Sequence, residues 1–375
     1  MNRLSELIEE LCPNGVEYKK ISEIYTRLKG TPITATKMKE IENIDGEIKI
    51  FAGGKTVINA NEKDIPNANI TRVPAVLVQS RGIINAIFYD KPFTFKNEMW
   101  AYTHNEVVSV KYLYYVLKNN VEYFRESASG MGALPQISLK VTENFKIPIP
   151  PLEVQCEIVR ILDNFTELTA KLTTEFTTEL KARKKQYEYY RDIMLNCLNG
   201  VEYKKLEECL KYEQPTKYIV KDTNYDDKYN IPVLTAGQSF ILGYTNETKG
   251  IYRASKENPV IIFDDFTTSF HWVDFDFKVK SSAMKMLKMR KNISFRYIYY
   301  AMKSIKFVPN THTRHWIGIY SQFEIPIPPL NVQHEIVRIL DNLTKNMVEL
   351  IAKLKTECET RQKQYEYYRD KLLTF

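Results

Sequence analysis

The stretch IPIPPLEVQCEIVRILDNFTELTAKLTTEFTTELKARKKQYEYYRDIMLN occupies residues 147–196. A near copy, IPIPPLNVQHEIVRILDNLTKNMVELIAKLKTECETRQKQYEYYRDKLLT, occupies 325–374. The two stay in register at an offset of 178, and 30 of 50 positions are identical, including the heptapeptide QYEYYRD at 186–192 and 364–370. Pro148, Pro150 and Pro151 mark an extended lead-in, and Pro151 suits the first position of a helix. Glu153 then falls in the first turn, where the helix dipole favours a negative charge. Apolar residues follow at Val154, Ile158, Ile161, Phe165, Leu168, Leu172, Phe176, Leu180, Tyr187, Tyr190 and Met194, in steps of mostly three and four. The copy repeats the row from Val332 through Ile336, Ile339, Leu343, Met347, Leu350 and Leu354 to Tyr365, Tyr368 and Leu372. This is a seam of coiled-coil type. About 45 residues at ~1.5 Å each give a rod of roughly 65 Å.

A second echo runs at another offset. PNGVEYKKI at 13–21 returns as LNGVEYKKL at 198–206, and YLYYVLK at 112–118 as YIYYAMK at 297–303, both at 185. The first globular half therefore carries about seven extra residues, expected near 125–146. The chain reads A–B–A′–B′, a duplicated two-part unit with a period far too long for a solenoid. The expected divisions are 1–146, 147–198, 199–324 and 325–375, two globular domains and two helical spacers. A lone helix of this length leaves its apolar stripe wet. The spacers are expected to run antiparallel, stripe to stripe, with a globular domain at each end. Residues 1–12 are expected to pack with the C-terminal helix, so that the ends meet and close a pseudo-twofold ring.

The globular halves read as strand-rich α+β. Short apolar runs such as IKIFAGG, AVLVQS, PVIIFDDF and DFDFKVK are bounded by Gly, Asn and Asp. Helices are expected near 110–124 and 294–306. The turns carry side chains that bond base edges and phosphates: Lys55, Gln79, Ser80 and Arg81 in the first half, and Gln238, Thr267, Thr268, His271, His312 and Arg314 in the second. Any one such loop is more often just a solvated turn; the set carries more weight because it recurs in both halves.

With 44% hydrophobic and 26% charged residues, the chain reads as globular. No apolar run reaches the ~18 residues of a membrane span, and no signal-peptide core is visible. Five scattered cysteines suggest free thiols in a reducing cytoplasm. The formal charge of +7 is concentrated in 201–324, at +5, against +2 in 1–146, −1 in 147–200 and +1 in 325–375. This is a mild signal for a polyanionic partner.

The search for catalytic motifs is nearly empty. Neither GxxxxGK[ST] nor a strand-borne GxGxxG occurs. The IPIPPL runs lack the polar residue and the aromatic of an amino-group DNA methyltransferase motif. His312 and His315 have HxxH spacing without an evident third ligand. Asp265, Asp276 and Lys278 spell the Asp-x10-Asp-x-Lys of magnesium nucleases, in which two carboxylates hold the metal and a lysine stabilises charge. A nuclease thus stands as one alternative, and a structural coiled-coil adaptor as another.

The A–B–A′–B′ plan, the IPIPPL…Q.EIV.ILD openings, the QYEYYRD helix ends and the NGVEYKK restarts resemble the specificity subunit of type I restriction–modification systems, over the whole chain. The resemblance implies two target recognition domains, each reading one half of a split double-stranded DNA sequence, with helices that space them. It implies two methyltransferase subunits docked on those helices and restriction–translocase subunits joining them. It assigns no catalytic residue, cofactor or metal to this chain; S-adenosylmethionine, ATP and magnesium belong to the partners. Tyr187, Tyr190, Tyr365 and Tyr368 suit the packed seam, while Tyr189, Arg191, Tyr367 and Arg369 are expected to face partners or to stabilise the coiled coil.

Overall fold

A computed structural model describes residues 2–129, 134–196, 200–237, 239–290 and 293–375. It divides into two compact units, residues 1–175 with 355–375 and residues 176–354.

The first unit opens with helix α1 (Asn2–Leu11), strand β1 (Tyr18–Lys20), the short helix α2 (Ile21–Ile24), strand β2 (Thr26–Leu28) and helix α3 (Ala35–Ile41). Six strands follow: β3 (Ile48–Phe51), β4 (Val57–Ala60), β5 (Ala75–Gln79), β6 (Asn85–Tyr89), β7 (Phe93–Phe95) and β8 (Trp100–Thr103). Helices α4 (Val107–Asn119), α5 (Val121–Glu126) and α6 (Leu139–Glu143) lead to β9 (Lys146–Pro148) and the long helix α7 (Leu152–Asn196). The second half repeats the strand order, without α-helical counterparts of α3, α5 and α6 among the described residues, from β10 (Glu202–Lys205), α8 (Leu206–Cys209), β11 (Leu210–Glu213), β12 (Ile231–Leu234) and β13 (Ile241–Thr245). It continues with β14 (Val260–Asp264), β15 (Phe270–Val273), β16 (Lys278–Val279), β17 (Met284–Met289), α9 (Phe295–Ser304), β18 (Glu324–Ile327) and the second long helix α10 (Leu330–Leu373).

The two halves share one topology. Each has a four-stranded sheet, β2-β8-β5-β6 and β11-β17-β14-β15, and a three-stranded sheet, β4-β3-β7 and β13-β12-β16. Strand β5 is buried along its whole length, in keeping with its apolar run AVLV, and its last residue, Gln79, is polar. The two repeated motifs are each other's partners. Tyr18 of NGVEYKK pairs antiparallel with Pro148 of IPIPPL, and Tyr203 pairs with Pro326 in the same register. Each restart strand is thereby tied to the strand that launches the following helix.

The long helices pack within each unit. In the first, Val154, Ile158 and Leu162 of α7 share a core with Leu372 and Leu373 of α10, and Phe165 stacks on Tyr368. In the second, Tyr187, Met194 and Leu195 of α7 share a core with Ile336, Leu340 and Leu343 of α10. Early α7 meets late α10, and late α7 meets early α10, so the helices run antiparallel. Leu4 and Cys12 join Leu372 and Leu373 in the first core, and the Tyr18 hydroxyl donates to the Phe375 carbonyl at 3.2 Å. Two seam assignments are corrected: Leu168 is 63% and Tyr190 42% exposed. A straight helix drifts about 20° per heptad against a 3.5-residue repeat, and a single partner helix covers only a narrow stripe.

Candidate nucleic-acid interface

In the first half, three loops meet beyond the ends of β3 and β5. The loop Gly53-Gly54-Lys55 joins β3 to β4, and Gln79 ends β5. The Gln79 side-chain amide donates to the Gly54 carbonyl at 2.7 Å. The backbone N–H of Gly53 donates to a Glu98 carboxylate oxygen at 3.1 Å, and that carboxylate pairs with Lys96 at 2.9 Å. Burial raises the pKa of Glu98, but the Lys96 ammonium and the Gly53 N–H outweigh it and hold the carboxyl below its ordinary value. The Ser80 hydroxyl donates to the Glu98 carbonyl. From the third loop, the Ile137 N–H donates to the Ser80 carbonyl at 2.9 Å, and Arg81 bridges to Gln136. Lys55 and Arg81 are exposed on this framework. Gln79 and Ser80 are buried, so they hold the loops together rather than face solvent.

The second half builds the same junction from other side chains. Asp265 takes the position of Ser80: its carbonyl accepts from the His315 N–H at 2.8 Å, and its carboxylate accepts from the Trp316 N–H at 2.9 Å. The Asp264 carboxylate accepts from the backbone of Phe266 and Thr267 at 2.9 and 2.8 Å, a turn that Asp favours. Thr268 sits at φ 58°, a left-handed conformation rare for a β-branched residue, and is 8% exposed. The Ser269 hydroxyl reaches the Ala236 carbonyl at 2.5 Å, and a ring nitrogen of His271 lies 3.1 Å from the Gly237 carbonyl. His271 stacks on Phe240 at 4.5 Å, and His312 on Phe266 at 4.8 Å. Thr267, His312 and Arg314 are exposed, His271 is half-buried, and Thr268 is inward. Gln238 lies outside the described residues. Glu98, Lys96, Phe240 and Phe266 were missed by the sequence reading; only their place at strand ends in the paired halves hinted at them.

The nuclease arrangement does not assemble. Asp265 pairs with the buried Lys285 at 3.0 Å, Asp276 pairs with Arg253, and Lys278 pairs with Glu247 at 2.8 Å. Each candidate is held by a different partner. The HxxH pair also separates, His312 lying exposed on Phe266 and His315 buried with its Nδ1 3.1 Å from the Asp265 carbonyl. Among the described residues no group of three or more His, Cys, Asp or Glu side chains is placed to hold a metal.

The two QYEYYRD ends divide their side chains alike. Tyr189 and Tyr367 are 63% and 62% exposed. Arg191 turns back over the Tyr187 ring and pairs with Asp192 at 2.7 Å. Arg369 lies over Tyr365, pairs with Asp370 at 3.0 Å and donates to the Asn119 side-chain oxygen at 2.5 Å. Both arginines are thus engaged within the chain, the second of the two roles expected for them, and the tyrosines supply the open surface.

Residues 13–182 and 199–360, the two repeats, each match the family described as the type I restriction modification DNA specificity domain. The chain belongs to this family. A type I specificity subunit for EcoR124I/EcoR124II from Escherichia coli is 55% identical over 186 residues, spanning 47% of this chain and 45% of that one. The chain thus matches just under half the length of that relative. A putative type I specificity subunit of Mycoplasma pneumoniae is 25% identical over 369 residues, 94% of this chain and 96% of the other. A chain solved in a study of complex assembly and conformational transition of a type I restriction–modification system has the same fold, with a TM-score of 0.67 at 12% identity, over 96% of this chain and 98% of that one. As expected for this family, the fold is α+β, with two strand-rich domains and two long antiparallel helices. No helix among the described residues is long and apolar enough to cross a membrane.

Proposed function

We propose that this chain is the DNA-reading subunit of a type I restriction–modification complex, its two domains reading two unlike half-sites in duplex DNA while the helices set the gap. The observation that carries the reading is one loop junction built twice on one topology, with Gly53, Gln79, Ser80 and Glu98 in one copy and Gly237, Asp264, Asp265 and Ser269 in the other. A common scaffold with divergent tips suits two readers of different sequences. In this reading Lys55 and Arg81 contact phosphate or guanine, and Thr267, His271, His312 and Arg314 serve the second half-site. Gln79, Ser80 and Thr268 act by shaping these loops.

The chain itself carries no methyl transfer or cleavage. Two methyltransferase subunits bring S-adenosylmethionine, and restriction–translocase subunits bring the ATP- and magnesium-dependent steps, in the cytoplasm. Tyr189 and Tyr367, exposed at equivalent positions on α7 and α10, are the docking anchors for the methyltransferases. The test is reconstitution with the methylating partner, labelled S-adenosylmethionine and duplex DNA. Methylation that requires both proteins and a split target supports the reading. Methyl transfer by the chain alone, or by the partner equally well without it, overturns it.

A further inference from the structure

Each domain is fastened to the long helix that follows it by equivalent contacts. In the first half, the Tyr115 hydroxyl donates to one Asp163 carboxylate oxygen at 2.7 Å, and Lys111 pairs with the other at 2.6 Å. In the second, the Tyr300 hydroxyl and the Arg296 guanidinium both reach Asp341 Oδ1, at 2.5 and 2.8 Å. A second row of contacts lies beside each carboxylate. Tyr112 and Tyr297 donate to the carbonyls of Pro148 and Pro326 at 3.1 and 2.8 Å. Gln155 and Gln333 donate to the carbonyls of Pro150 and Pro328, both at 2.8 Å. Those glutamines accept in turn from the Ser109 hydroxyl and the Ser294 backbone N–H, at 2.9 Å each. Every donor on α4, α9 or the residue capping α9 is related by the offset of 185, and every acceptor on the lead-in and helix by 178.

The geometry points to Asp163 and Asp341 as positioning residues that hold each domain at one angle on its helix and so restrict the gap between half-sites that the protein accepts. This inference rests on the split-target reading above. Its physical basis is leverage. A domain of this size is about 25–30 Å across, and one base-pair step is about 3.4 Å. A swing of roughly 6–8° about the clamp therefore carries a reading loop by one base pair. Packing alone leaves room for such a swing, because apolar contacts are non-directional. Charge-assisted hydrogen bonds to one carboxylate are directional and short, and Tyr115 and Tyr300 are almost wholly buried at the pivot.

The experiment uses the full chain with its methylating partner and three duplex targets, with the preferred gap and with one base pair more and one fewer. Asp163→Asn and Asp341→Asn are assayed singly, with Tyr115→Phe and Tyr300→Phe as variants that retain the charge and the ring packing. The expected result is a rate on the preferred gap within about threefold of wild type, with the preference over the altered gaps reduced tenfold or more. An unchanged gap preference in the two tyrosine variants and in whichever aspartate variants fold overturns the inference. An equal loss of activity at all three gaps, with preference intact, also overturns it by making the clamp merely structural. Failure of the wild-type complex to methylate any split target is a separate outcome, which overturns the functional reading itself.

Discussion

Replacing Lys278 with Met tests whether the Asp-x10-Asp-x-Lys residues are structural. Lys278 is 2% exposed, pairs with Glu247 at 2.8 Å and donates to the carbonyls of Lys249 and Gly250 at 2.7 and 3.3 Å. Methionine fills the volume but leaves the Glu247 carboxylate and both carbonyls without the ammonium. Breaking a buried pair from one side costs about 3–5 kcal/mol. Glu247 is 18% exposed and keeps the backbone N–H groups of Lys221 and Asp222 at 2.7 and 2.9 Å, so the lower end, about 3 kcal/mol, applies. At a urea slope of about 2 kcal/mol/M the midpoint for the second domain falls by roughly 1.5 M. Burial pushes Glu247 up, but Lys278 and the two N–H groups outweigh it and bring the carboxyl down to about 2. Its folded pKa lies below the unfolded value of about 4.3. The stability it contributes is therefore present above that value and lost as pH falls through about 2. The gap between wild type and variant must narrow over the same window. Urea titrations followed by circular dichroism at pH 7 and pH 3 measure both effects. A midpoint within about 0.3 M of wild type at pH 7 would refute the reasoning.

Lys55→Ala and Arg81→Ala should each weaken duplex binding by the complex and lower the slope of log affinity against log salt by about one; fluorescence anisotropy across a salt series checks this, and an unchanged slope removes the residue from the phosphate-facing set. Gly30→Ala places a methyl group 2.3 Å from the Phe95 carbonyl oxygen, so thermal unfolding should show a loss of about 1–3 kcal/mol. Tyr189→Ala and Tyr367→Ala together should weaken capture of the methylating partner by tenfold or more in surface-plasmon measurements while leaving the melting temperature within about 2 °C, since both rings are exposed.

The long helices were legible because repetition made their period unmistakable, and the strand ladders explain why NGVEYKK and IPIPPL repeat together. The sequence reading put the extra residues of the first half near 125–146; Ile137 and His315 make equivalent bonds at an offset of 178, so the register changes before Ile137. Loop chemistry was harder to read. Gln79 and Ser80 have the residue types of base readers, yet both are buried and spend their donors on the Gly54 and Glu98 carbonyls, which ties the loops together. Asp265 looked catalytic because its role depends on Lys285 and on the Trp316 N–H, contacts that spacing cannot reveal. The Asp163 and Asp341 clamps stood in plain view inside ILDN, but only the fold brings Tyr115 and Tyr300 to them.

The most direct measurement of the central claim is the methylation map of duplex DNA modified by the complex, compared with that of a chimera whose segment 206–323 is replaced by the corresponding segment of another family member. Two unlike half-sites at a constant separation are predicted for the native chain, with the chimera altering one half-site and leaving the other and the separation untouched. A continuous target, or a chimera that changes both halves together, would contradict the division of reading between two helix-mounted domains.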